Sequence, residues 1–479
     1  MKKLYLQISL FINIICLVIF IFGMPNIHES QNNLFNITYS VLVLSCIIIY
    51  LISSTKLYKN SVKYDLFFLL GFYIVHFQIP IIYSMGVANR FSSFVILNEN
   101  LMNYLTWFSG ITIFLWMIGA QLVSLYLFSR KKKPETKQLN QIVIRQPISD
   151  IFLIIIFFGF LIIAGKPLLS GVYDGGQSWG ANATYFYMLL RAFLIVRIFY
   201  FFYKNKGSSS IKILFSKFLK ERTLFFITSS YIILFFIGGQ RSSILELLIL
   251  IVCCYSVYVK KIPFFIILIG LFVGGIIFTL LGMGRTSEIN ELKGNIITRG
   301  IESLESKNEA INFPTDELSG SNKISYLAFE YFPNEIDFLY GKTMLVDIVG
   351  VIPFSSHVLL GNTTSLNNTS TLLFTYLDQG IYSTYGAGSD VLSDVYINWG
   401  IIGTCVIFFI FGGFISFMQF KFHITKEFYW SLVAAAIIIS ALFINRAQLL
   451  SPLKDIFYAL ILVKIFFKQV KIKKIKKYQ

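Results

Sequence analysis

The chain is short of charge. Asp, Glu, Lys and Arg make up 14% of its 479 residues, where a soluble protein of this size carries about 25%. With 56% hydrophobic residues and a mean hydropathy of +0.70, that shortage excludes a string of soluble domains. Histidine is scarcer still, and the four present (His28, His76, His357, His423) are scattered. The five cysteines, Cys16, Cys46, Cys253, Cys254 and Cys405, all fall inside apolar runs. Neither an exposed disulfide nor a metal site is expected of them. HExxH, CxxC and P-loop patterns are missing, so the chemistries that rest on them have no support here. There is also no internal repeat and no matched pair of broken helices, which argues against the common transporter folds.

What remains is long apolar segments. Windows of about 19 residues mark candidate spans at 4–22, 36–54, 64–84, 104–128, 150–165, 183–203, 223–238, 243–258, 262–282, 398–420, 428–445 and 453–467. This predicts an all-α polytopic membrane protein with about twelve transmembrane helices. No small-residue cleavage site follows the first window, which reads as a retained helix. The 50 Phe and 27 Tyr suit lipid-facing and interfacial surfaces.

The loops alternate in charge. Lys2, Lys3, Lys56, Lys59, Lys63, Arg130 to Lys133, Lys204 to Arg222, Lys260, Lys261, Lys421, Lys426 and the tail from Lys464 to Lys477 fall on one side. The other side has only Arg90, Lys166, Arg241, Arg446 and Lys454 in its short loops. The positive-inside rule then puts both termini in the cytoplasm and the chain in the inner (cytoplasmic) membrane. The formal charge of +17 is mostly a topology signal. The basic tail reads as an anionic-lipid contact rather than a nucleic-acid site.

One loop is long. Residues 283–397 separate helices one to nine (1–282) from the last three and the basic tail (398–479), and lie outside by this topology. Fourteen of the 24 acidic residues fall here, against six basic ones. The apolar patches "ISYLAFEYF" and "MLVDIVGVIPF" predict short helices in a small folded cap.

Arginines sit at the outer ends of three spans: Arg241 in "IGGQRSS", Arg285 in "LGMGRTSE" and Arg446 in "FINRAQ". The plain reading is interfacial snorkelling. The sharper one is phosphate recognition by planar guanidinium groups. Arg191 and Arg197, inside the sixth span, must face a partner or a wet cavity. Two acids open the tenth span in "GAGSDVLSDVYINWGIIG" (Gly386–Gly403). With Ser389 as N-cap, a helix to Phe420 would be about 48 Å long. Asp390 and Asp394 would then stand above the membrane on one helical face. They suit sugar hydroxyls; the plainer alternative is acids favoured by the helix dipole.

"FLYGKTMLVDIVGVIP" (Phe338–Pro353) followed by "GAGSDVLSDVYINWGIIG" resembles the outer-loop signature of Wzy-type oligosaccharide repeat-unit polymerases of O-antigen and capsule. "GGQRSSILELL" resembles the family's Gly-x-Arg span start. The family's acid is usually glutamate, and Asp394 stands in its place. Its Arg- and Trp-Pro-rich stretch after Ile-Pro is replaced here by "FSSHVLLGNTTS". The resemblance implies a GT-C-like membrane fold and metal- and cofactor-free glycosyl transfer outside the membrane. The donor would be the glycan on undecaprenyl pyrophosphate and the acceptor a lipid-linked repeat unit. A chain-length regulator and a flippase are the implied partners. It further implies Asp394 as base, with His357 and Asp390 as other acid–base candidates. Arg241, Arg285, Arg446, Arg191, Lys342, Tyr396 and Asn398 would hold substrate. Two alternatives share the lipid substrate: a repeat-unit flippase, which needs no large outer cap, and an O-antigen ligase, for which His357 is the attraction.

Overall fold

The computed structural model describes residues 2–27, 29–87, 98–130, 141–165, 168, 180–207, 210–283, 298, 301, 315–353, 355, 359, 368–380 and 386–470. Ten helices come first: α1 (Lys2–Phe22), α2 (Asn33–Tyr58), α3 (Tyr64–Ser84), α4 (Met102–Ser129), α5 (Gln146–Ala164), α6 (Gly180–Lys204), α7 (Ile211–Lys220), α8 (Arg222–Ile237), α9 (Arg241–Tyr258) and α10 (Phe264–Met283). Among the described residues of the long loop four short ones follow: α11 (Asp316–Ser319), α12 (Asn322–Tyr331), α13 (Lys342–Val349) and α14 (Ser370–Gln379). The chain closes with α15 (Val391–Phe420), α16 (Phe428–Ile438) and α17 (Leu453–Phe466). Among the described residues, eight helical segments are long and apolar enough to cross a membrane: α1, α2, α3, Glu99–Ser129, α5, the Ala183–Lys204 part of α6, α9 and Val391–Thr425. Three more, α8, α16 and Phe264–Ile277 of α10, are apolar but shorter. The protein is therefore a multi-pass α-helical membrane protein.

Each apolar window coincides with a helix, but two differ in shape. The 428–445 window is helical only to Ile438, then turns into a 3-10 segment at Phe443–Arg446. Asn445 fixes that turn, its Nδ2 donating to the carbonyls of Phe68 and Leu442, both at 3.1 Å. Hydropathy cannot separate such a packed turn from a continuing helix. The opening of α15 also differs from expectation. Asp390, not Ser389, is its N-cap, and its carboxylate accepts from the Ser393 amide at 2.9 Å. Gly400 breaks the helix at φ 63°, ψ −168°, a conformation that favours glycine.

The centre of the bundle is the packing of α15 on α4. A Cβ at Gly412 would fall 1.9 Å from the Trp116 carbonyl oxygen, and one at Gly119 2.1 Å from that of Phe409. Small residues let these two backbones touch. Buried polar groups join the same helices to their neighbours. Ser124 and Ser416 share a hydrogen bond of 2.7 Å, and Asn13 donates to Gln121 at 3.0 Å. Asp65 accepts from Tyr50 at 2.9 Å, Ser54 at 3.2 Å and Gln419.

Among the described residues, the lysine-bearing turns after α2, α6, α9 and α15 meet at one end. There Asn60 accepts from Ser256 at 2.6 Å and lies 3.3 Å from His423 Nδ1, while Lys426 donates to the Val257 carbonyl. A two-stranded antiparallel ribbon, β1 (Gln141–Ile144) with β2 (Phe467–Val470), ties the loop before α5 to the tail. The short helices of the long loop cover the opposite end. Gln78 of α3 donates to Asp316, and Tyr458 of α17 to the Val351 carbonyl at 3.0 Å.

Candidate functional site

The two stretches that carry the family resemblance are far apart in sequence and bonded to each other in space. The amides of Leu339 and Tyr340 donate to the carbonyls of Ile397 and Asn398 at 2.9 and 3.0 Å. The Gly341 amide donates to Asn398 Oδ1 at 3.1 Å, and Asn398 Nδ2 donates to Thr343 Oγ1 at 2.6 Å. Asn398 thus clamps the start of α13 onto α15. Tyr396 is the second clamp: its hydroxyl donates to the Phe332 carbonyl at 3.0 Å and its ring stacks on Phe329 at 3.8 Å. Lys342, the first residue of α13, is exposed beside them.

This clamp brings acids together. Asp394 lies in the first turn of α15 and is fully buried within the protein. Its Oδ2 accepts from the Leu449 amide at 2.9 Å, and its Oδ1 has no hydrogen-bond partner. The hydroxyls of Ser370 and Thr343 lie beside it. Thr343 and Asp347 are four residues apart on α13, so they share a helical face. Asp347 is buried too, and its Oδ2 is unpartnered. Burial, with the charge of Asp394 added, pushes the Asp347 carboxyl up to about 7, while Lys454 pulls the other way. A carboxyl balanced between acid and base near neutral pH is suited to moving a proton.

Asp390 has a different setting. Ser393 supplies both its amide at 2.9 Å and its hydroxyl at 2.5 Å, and Ser325 Oγ is at 3.3 Å. Burial raises it to about 6 against these bonds. Its Oδ1 is 3.8 Å from Nε2 of His76, whose two ring nitrogens are buried without hydrogen bonds.

A second charged group lies between α6, α9 and α17. Arg191 of α6 reaches Glu246 of α9 at 3.2 Å and Asp455 of α17 at 2.8 Å. Lys454 stands in electrostatic reach of both Asp455 and Asp347, which makes the two clusters neighbours. Arg197 is paired as well, with Asp150 at 2.5 Å and Glu221 at 3.5 Å. Arg241 opens α9, five residues before Glu246, and Arg446 ends the 3-10 turn just before Leu449. Both are half-buried. Arg285 and His357 lie outside the described residues.

The sequence reading missed Asp347, Lys454, Glu246, Asp455 and His76. Three of them carried a signal: Asp347 in "MLVDIVG", Glu246 in "ILELLIL" and Asp455 in "LKDIF" are single acids in apolar surroundings. No protein family, curated protein or solved structure matches the chain.

Asp347 has a consequence for stability. Its folded carboxyl holds a proton up to about pH 7, whereas the unfolded one releases it near pH 4. Between these values the folded state binds more protons, so this group's contribution to stability falls as pH rises. Asp347→Asn removes the dependence. Its melting temperature in detergent should match wild type near pH 4 and exceed it at pH 8, by the equivalent of about 2–4 kcal/mol. A difference that is constant across this range would mean the carboxyl titrates normally.

Proposed function

We propose that this chain is a polysaccharide polymerase. It transfers a growing glycan from undecaprenyl pyrophosphate onto a lipid-linked repeat unit at the outer face of the cytoplasmic membrane. In this reading about twelve helices span the membrane in a GT-C-like arrangement, and both termini are cytoplasmic. The observation that carries it is the pair Asp394 and Asp347, each buried with one unpartnered oxygen, under short helices at the end of the bundle away from the lysine-rich loops.

The chemistry is a displacement at the donor sugar's anomeric carbon. The acceptor hydroxyl forms the new C–O bond as the bond to pyrophosphate breaks. A carboxylate of the pair takes the hydroxyl proton. Lys454 and Arg446 are the cations nearest this end of α17 in sequence, and they would meet the charge developing on the leaving pyrophosphate. Asp394 is covered by α13 and α14, so turnover requires those helices to part from it. Nothing in this step calls for a metal, and the lipid carrier supplies the leaving group.

The experiment is reconstitution of purified full-length protein with donor and acceptor repeat units on undecaprenyl pyrophosphate. A ladder of longer glycans with release of the carrier pyrophosphate is expected. Movement of single units across the bilayer without elongation would make the protein a flippase. Transfer only to a non-carrier lipid would make it a ligase. Either result overturns the polymerase reading.

A further inference from the structure

We propose that Lys56, Lys59 and Lys261 form a headgroup site for one anionic phospholipid at the lysine-rich end of the bundle. A cavity of about 580 Å³ opens there between the start of α1, the end of α2 and the turn before α10. Three of its lining residues are these lysines and none is acidic. Lys56 Nζ is held 3.6 Å above the ring of Tyr5. Lys59 takes the left-handed conformation (φ 58°) that ends α2. Among the described residues no carboxylate pairs with any of the three.

The floor of the cavity is already tied. Asn60 Oδ1 accepts from Ser256 at 2.6 Å and from the Val62 amide at 3.1 Å, and its Nδ2 faces His423. The rest of the lining is the three lysines, the hydroxyl-bearing side chains of Tyr5, Thr55 and Ser61, and the apolar Ile262 and Pro263. Such a donor set selects an anion with several acceptor oxygens, which is the chemistry of a phosphate. Lysines at a helix end also favour the dipole, but that accounts for Lys56 and Lys59, not for Lys261 across the cavity.

The walls argue for a lipid rather than a soluble phosphate. Beside the cavity α1 presents Leu4 at 56% exposure and Ile8 at 49%. On the other side α10 begins with Phe264 at 45% and Phe265 at 71%. These outward apolar residues continue from the lysines into the helical surfaces that face acyl chains. An amphiphile with a phosphate head would cover both parts at once. The site is independent of the acid pair and of the reaction proposed above.

Full-length protein is to be placed in nanodiscs of phosphatidylcholine with graded phosphatidylglycerol, and retained lipid counted by native mass spectrometry. Wild type should keep one phosphatidylglycerol in preference to phosphatidylcholine. Lys56→Gln/Lys59→Gln/Lys261→Gln should weaken that preference about 10- to 100-fold. The three Lys→Arg changes should preserve it. Lys212→Gln/Lys217→Gln/Lys220→Gln, exposed charges lost from α7, should also preserve it. Equal loss in the α7 variant would reduce the effect to general surface charge and overturn the proposal. So would unchanged preference in the first variant. Inorganic phosphate serves as the soluble probe: if it binds the detergent-purified protein at millimolar levels and phosphatidylglycerol does not displace it, the site takes a free anion and the lipid is the wrong occupant.

Discussion

Asp394→Asn should lower the polymerisation rate by about 10²- to 10⁴-fold, the usual range for losing a positioned proton acceptor. The substitution is chosen for its geometry. The amide oxygen of Asn can still accept from the Leu449 amide, the bond that Asp394 Oδ2 makes at 2.9 Å. The bond from the Asn398 side chain goes to the main-chain carbonyl of residue 394 and is untouched. Only the charge and the unpartnered oxygen are lost. The protein should therefore fold, with a melting temperature close to wild type. Asp390→Asn is the matched control, because Asn is as good an N-cap as Asp and the oxygens of Asp390 are already occupied by serines. Its rate should stay within about tenfold of wild type, well short of the loss at Asp394. Purified protein and defined lipid-linked units give the measurement. Wild-type rate in a well-folded Asp394→Asn protein would move the base to another group, and Asp347→Asn is the next variant to assay.

The second large effect is structural. Arg191→Met should destabilise the protein by about 3–5 kcal/mol, because it leaves Glu246 and Asp455 facing each other without their shared cation. Both acids are about nine-tenths buried, and one guanidinium serves both. Arg191→Met/Glu246→Gln/Asp455→Asn removes all three charges and should recover most of the loss. Thermal unfolding in detergent reads both variants. If Arg191→Met melts like wild type yet fails to polymerise, the arginine is held for substrate rather than for the bundle.

These two residues show where reading the sequence stopped. Arg191 was visible as a charge inside a span that must have a partner, but the partners are 55 and 264 residues away in sequence. No local pattern could choose Glu246 and Asp455 over other acids. Asp394 was visible as an acid beside an apolar helix. Its burial was not, since that depends on α13, α14 and the Leu449 turn closing over it. Tyr396 and Asn398 stood out as polar residues ahead of a helix, and the structure shows what they bond: the Phe332 carbonyl, and Thr343 with the Gly341 amide.

The sequence by itself determined the membrane class, which apolar segments become helices and which loops are rich in lysine. Those follow from hydropathy and charge, which act residue by residue over a window of one bilayer thickness. Tertiary structure alone decided that the 428–445 window bends after Ile438, that Gly412 lets α15 meet α4, and that Asp347 joins Asp394. Each depends on backbone contact or on charges meeting across helices. Such contacts join segments tens to hundreds of residues apart, and they are settled only when the chain packs.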